Sequence, residues 1–161
     1  MNEVIMQLED YLIDPTSYNW NAIVKTWKWL LPETFEIWLV NRFGDLFMVL
    51  ADGSVHWLQT DSGNLVMLAA SEKDFEFLIR QGDNFNQWFL ASLVDHLVAH
   101  QITLAPGQCY GYIALPRLGG AYDLNNIRPI SMAEYLSFLG KIYDQLRHYP
   151  DGTNVEIKII P

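Results

Sequence analysis

A chain of 161 residues is long enough for one compact domain that buries most of its apolar surface. Half of its residues are hydrophobic and 18% are charged, which excludes disorder as the main description. Nineteen acidic residues against ten basic ones leave a net charge of −9, a field that repels nucleic acid and anionic lipid and argues against direct binding to either.

The single cysteine, Cys109, leaves no internal disulfide, so the fold is expected to be held by packing, as suits the cytoplasm. Residues 1–14 carry Glu3, Glu9 and Asp10 among apolar residues and lack the basic start and unbroken apolar core of a secretory signal. No stretch reaches the roughly 20 apolar residues needed to cross a bilayer.

In chain order, Val4, Ile5, Leu8, Tyr11 and Leu12 recur at helical spacing and predict a short helix over 2–13, ending before Pro15. Ser17 or Asn19 can cap a second helix through Leu31 that carries Trp20, Ile23, Val24, Trp27 and Leu30 on one face. Pro32 ends it, and it divides an N-terminal helical annex (1–32) from the main domain (33–161). From Phe35 the period changes to two. Strands are expected from Phe35, at 45–50, at 55–59 and at 65–68, and the turn residues Gly44, Asp52-Gly53 and Asp61-Ser62-Gly63-Asn64 join them into an antiparallel meander.

Ser71 and Asp74 form a near capping box that opens a helix to about Gln81. A second helix is expected from Asn84 or Asn86 to His100. Residues 108–114 predict a strand that extends the meander, and 115–126 a loop rich in Pro, Gly and Asn with a short strand near its end. Ser131 and Glu134 make a full capping box for a last helix to about His148, and Asp151-Gly152 turns the chain into a final strand over 154–160. The fold class is α+β: one domain, mostly antiparallel sheet, with packed helices and the annex. Its expected core includes Phe43, Phe47, Trp57, Phe75, Trp88, Tyr110 and Phe138, with Trp20 and Trp27 on apolar faces and Trp29 and Trp38 partly exposed.

Three constellations could carry chemistry. His96 and His100 lie four apart on a helix beside Asp95, a spacing that can present two imidazoles to one metal, but a metal site needs further ligands, and a surface pair is the commoner outcome. Cys109 could be a thiol nucleophile beside His56, yet it sits in an apolar strand where a buried, inert cysteine is expected. Leu118-Gly119-Gly120-Ala121-Tyr122 has glycines that could approach an anion but lacks the spacing of a phosphate loop. No cofactor is implied, and a binding protein is a better reading than an enzyme. A small-molecule enzyme using Cys109 and His56, or a metal at His96 and His100, is the alternative, as is a scaffold or regulatory binding module.

Several strings fall in an order that resembles one bacterial family. They are Asn41-Arg42-Phe43-Gly44-Asp45-Leu46-Phe47, Gly53-Ser54-Val55-His56-Trp57-Leu58, Pro106-Gly107-Gln108-Cys109-Tyr110-Gly111-Tyr112, Pro116-Arg117-Leu118-Gly119-Gly120-Ala121-Tyr122 with Asn125-Asn126, and Tyr135-Leu136-Ser137-Phe138-Leu139-Gly140. Together they are similar to the C-terminal domain family of type VI secretion DNase-immunity proteins, over roughly residues 35–147. Asp14 to Tyr18 and Trp20 to Trp27 look like the end of the helical domain that precedes this one in longer relatives.

The resemblance implies a cytoplasmic protein that binds a toxic nuclease effector and blocks it without a catalytic site of its own. A nuclease that grips phosphate presents basic surface, to which an acidic protein is electrostatically suited. Carboxylates offered from rigid edges meet such a surface at low ordering cost. The turns at Asp45 and Asp61 are expected at one end of the meander, with Asp52 at the other. Glu72, Asp74, Glu76 and Asp83 are a second acidic region, but the first of these have a structural reason to lie at a helix N-terminus. The expected contact surface is the loop Arg117 to Asn126, with Arg117, Tyr122, Asp123 and Asn125, together with Asp45 and Asp61.

Overall fold

The structure, a computed structural model, describes residues 7–158. Its centre is the expected meander: β1 (Phe35–Val40), β2 (Leu46–Leu50), β3 (Val55–Gln59) and β4 (Asn64–Ala69) pair antiparallel in the order β1-β2-β3-β4. The turns work as their residues dictate. Gly44, Gly53 and Gly63 all take positive φ, and the Asp52 carboxylate accepts from the Ser54 N–H to close the β2–β3 hairpin.

Both faces of this sheet are covered. Alternate residues Phe47 and Val55 face one aromatic-rich core with Phe75, Trp88, Phe89 and Leu97 from the central helices. Leu46, Met48 and Leu58 face a second core with Trp27, Leu136, Leu139 and Tyr143. Period-two alternation thus puts apolar residues on both sides, as a strand between two layers requires.

The helices are α1 (Trp20–Ile23), α2 (Glu72–Leu78), α3 (Asn84–Phe89), α4 (Ala91–Ala99) and α5 (Met132–Leu146). Ser71 Oγ accepts from Asp74 N at 3.1 Å and opens α2, and Ser131 Oγ accepts from Glu134 N at 3.5 Å at the start of α5. The single helix expected from 84 or 86 to 100 is instead two. Leu90 adopts a left-handed conformation at φ 49°, and the Asn86 side chain turns back to accept from Ser92 N at 2.9 Å, so a local side-chain bond competes with helix continuation. The break lets both pieces bury their apolar residues, Trp88 and Phe89 from one, and Val94 and Leu97 from the other.

Other expectations are corrected. Within the described residues the first predicted helix is only a 3₁₀ turn, Leu8–Tyr11, and residues 1–6 of that prediction lie outside them. The second is α1 followed by a 3₁₀ turn over Val24–Trp27. β5 (Gln108–Tyr112) does not extend the meander. It pairs with β6 (Ile127–Ser131) in a separate two-stranded sheet, held to the first by Tyr110 N donating to Arg42 O at 2.8 Å. Residues 154–158 form no strand, and the end of the predicted final strand lies outside the described residues.

Phe43, Phe47, Phe75, Trp88 and Tyr110 are buried as expected, and Trp57 is half-buried. Phe138 is 37% exposed, because the buried stripe of α5 runs through Met132, Tyr135, Leu136, Leu139, Gly140 and Tyr143 and leaves position 138 beside it. The annex is fastened to that helix. Trp27 Nε1 donates to Leu136 O at 2.8 Å, Trp29 Nε1 donates to Gly140 O at 3.1 Å, and an added Cβ on Gly140 would lie 2.8 Å from the Thr26 carbonyl oxygen.

Candidate functional site

The loop between β5 and β6 is built from two 3₁₀ turns, Pro116–Leu118 and Leu124–Asn126, and is locked by its own polar residues. Asn126 Nδ2 donates to the carbonyls of Ala114 and Ala121, each at 2.8 Å, while its Oδ1 accepts from Ala114 N at 2.8 Å. Asp123 caps the second turn by accepting from Asn125 N at 2.9 Å. The Asn126 side chain therefore serves loop geometry, and Arg117, Tyr122, Asp123 and Asn125 are exposed on a preformed rim.

This rim meets the β3–β4 turn. Tyr122 Oη donates to Asp61 Oδ2 at 2.5 Å, and Arg117 Nη1 donates to Ser62 O at 2.9 Å. The Arg117 guanidinium also lies over the Tyr143 ring, 5.5 Å from its centroid. Burial pushes the Tyr122 phenol up, and the Asp61 carboxylate that accepts its proton pushes it further, so the phenol stays a donor. Of the residues expected at the surface, the structure joins Tyr122 to Asp61 and seats Arg117 on the same turn, while Asp123 and Asn125 are exposed further along the same loop.

Asp45 is different. It is only 4% exposed, its Oδ2 accepts from Trp57 Nε1 at 3.0 Å and Asn41 Nδ2 at 3.2 Å, and its Oδ1 accepts from Thr60 N at 2.9 Å and from the Thr60 hydroxyl. Desolvation, and then the nearby Asp61, raise its pKa to about 6 against the opposing pull of these donors. Asp45 does lie at the Asp61 end of the meander, but as the buried post that ties three strand ends together, and its carboxylate is not available to a partner.

Sequence reasoning did not single out Thr60, Ser62 or Tyr143 for this edge. Tyr143 Oη donates to Thr60 O at 2.6 Å across 83 residues, a long-range bond for which helical periodicity holds no signal beyond an apolar stripe.

The residues weighed for chemistry are placed apart. Cys109 is fully buried, and its thiol is pushed well above the ordinary range, chiefly by burial and then by Asp45, which keeps it protonated. His56 hydrogen-bonds Ser54 Oγ at 3.4 Å, and among the described residues no bond joins it to Cys109. The His96 and His100 rings stack edge to face at 4.5 Å on the exposed side of α4, while Asp95 turns to accept from Tyr11 Oη at 2.8 Å. Among the described residues no group of three or more His, Cys, Asp or Glu side chains is placed to hold a metal ion, and no helix is long and apolar enough to cross a membrane.

Fold and edge together define an α+β domain that presents a rigid polar rim beside a hairpin turn. Residues 69–143 match the family model described as T6SS immunity protein Tdi1, C-terminal. This is the family that the ordered strings resemble. The match takes in α2 to α4, β5, the whole loop, β6 and α5 as far as Tyr143, so Arg117, Tyr122, Asp123 and Asn125 fall within it, while Asp61 and most of the meander fall before it. No curated protein matches the chain.

Proposed function

We propose that this protein is an immunity protein that binds a toxic type VI secretion effector, a basic nuclease, and blocks it sterically in the cytoplasm. The match of residues 69–143 to the immunity-protein family carries this reading. The net charge of −9 supports the choice of a basic partner. The contact surface is the rim formed by Arg117, Tyr122, Asp123 and Asn125 with Asp61. Its support is that Arg117, Tyr122, Asp123 and Asn125 are exposed on a loop already held by internal hydrogen bonds, with the half-buried Asp61 fixed beside them by Tyr122, so binding orders little that is not ordered beforehand. Tyr122 supplies an aromatic anchor and Asp123 a carboxylate with a free oxygen.

The test is co-production with a type VI secretion nuclease effector, sought first among the genes that flank this one. The wild-type protein should restore growth and bind the effector directly. Asp123→Lys should slow association and weaken binding at low salt, and Tyr122→Ala should speed dissociation, with both variants folded. No rescue and no binding by the wild-type protein would refute the role, and unchanged binding by both variants would refute the surface.

A further inference from the structure

The strand β4 is an outer edge of the meander, and among the described residues no backbone group of positions 64–69 bonds anything beyond β3. Natural edge strands are usually protected by a charge, a proline, a bulge turned outward or a covering element. This one reads Asn-Leu-Val-Met-Leu-Ala, with no charge and no proline, and its one irregularity is a register shift at Leu68, which leaves the run 64–67 regularly paired and straight along its open side. Val66 and Met67 are 37% and 57% exposed, and Phe77 on the adjoining helix α2 is 65% exposed. Between strand and helix lies an open cleft of about 370 Å³, lined by Met67, Leu68, Ala69, Asp74, Phe77 and Leu78.

We infer that the β4 edge accepts an extended strand from a protein partner whose side chains alternate between basic and apolar. Unpaired N–H and C=O groups fix the occupant as extended backbone, and the apolar cleft beside them takes one of its side chains. The charge pattern fixes its sign. Across residues 61–80 the chain carries Asp61, Glu72, Asp74 and Glu76 against Lys73 and Arg80, and of these only Asp74 lines the cleft. A second copy of this chain fits less well. Antiparallel pairing of two β4 strands sets the Asp61 end of each against the Glu72 and Asp74 end of the other, carboxylate against carboxylate. The inference stands on the edge strand and its cleft, and it shares only Asp61 with the surface proposed above.

The experiment uses the full chain and a dye-labelled, end-blocked peptide of alternating lysine and valine, followed by fluorescence anisotropy at low salt. The peptide should bind. Methylating all of its peptide nitrogens, which keeps the charge and removes the donors, should weaken binding by about tenfold or more. A glutamate–valine peptide should not bind. Asp74→Asn, and the double variant Met67→Ser with Phe77→Ser, should each weaken the lysine–valine peptide, while Asp123→Lys on the loop should leave it unchanged. Equal binding of the methylated peptide would reduce the effect to bulk charge and overturn the inference. A protein that dimerises through β4 and excludes the peptide would overturn it in favour of a second copy.

Discussion

The ring of Tyr143 lies directly beneath Gly63, so that a Cβ added to the glycine would sit 2.6 Å from the ring's Cγ, while the same tyrosine donates to Thr60 O just upstream. The β3–β4 turn therefore rests on the last helix, and its position sets that of Asp61 and Ser62 above. Gly63 is also at φ +74°, where a side chain is strained. Gly63→Ala should lower stability by about 2–4 kcal/mol from strain and overpacking together, read as a fall in melting temperature. A variant as stable as the wild type would show that the turn does not rest on Tyr143.

Asp45 gives a pH dependence of known sign. Its carboxyl titrates near pH 6 in the folded protein and near the ordinary value of about 4 in the unfolded chain. Between those values the folded state binds more protons than the unfolded one, so this group's contribution falls as pH rises from about 4 to 6 and is flat above. In urea unfolding, the stability difference between wild type and Asp45→Asn should shift against the wild type by about 2–3 kcal/mol across that window. A difference that moves the other way would mean that the hydrogen bonds from Trp57 and Thr60 outweigh burial.

The close packing of Thr26 in the annex against Gly140 of α5 is also testable. A Cβ on Gly140 would meet Thr26 Oγ1 at 2.2 Å and the Thr26 carbonyl oxygen at 2.8 Å, so Gly140→Ala should cost about 1–3 kcal/mol in spite of alanine's better helix propensity. Thr26 Oγ1 is buried without a hydrogen-bond partner among the described residues. Thr26→Ala should accordingly lie between neutral and about 1 kcal/mol stabilising, and should recover part of the loss in the double variant. Additive losses would place the strain elsewhere.

Cys109 should be unreactive in the folded protein. A thiol reagent at neutral pH is expected to titrate it only after denaturant is added, with the onset tracking global unfolding. Rapid labelling under native conditions would contradict its placement.

The meander is legible in the sequence because its signals are local. Period-two alternation and the glycines at 44, 53 and 63 lie within a few residues of the bonds they dictate. The capping serines Ser71 and Ser131 are legible for the same reason. The break at Leu90 is not, since the apolar stripe runs through it and only the reach of Asn86 to Ser92 decides it. Nor is the pairing of β5 with β6, a choice between two edges made by tertiary packing. At the rim, the loop residues and Asp61 can be named from turn chemistry and charge, but their convergence depends on Tyr143 and Ser62. Asp45 reads like its fellow turn aspartates until Trp57 and Thr60 close over it. Phe138 fails as a core residue because an apolar side chain one position off a helical stripe is indistinguishable from one on it.

The tryptophan bonds that fasten the annex to α5 join residues 109 and 111 positions apart in the chain. Contacts of such separation form late, because the loop they close must be ordered first. During synthesis, Trp27 and Trp29 leave the ribosome long before Leu136 and Gly140 exist, and they must stay unpaired until nearly the whole domain has been made. The nascent chain therefore exposes both tryptophans for most of its translation. A truncation that removes α5 is expected to leave that segment as a target for chaperones rather than as a folded intermediate.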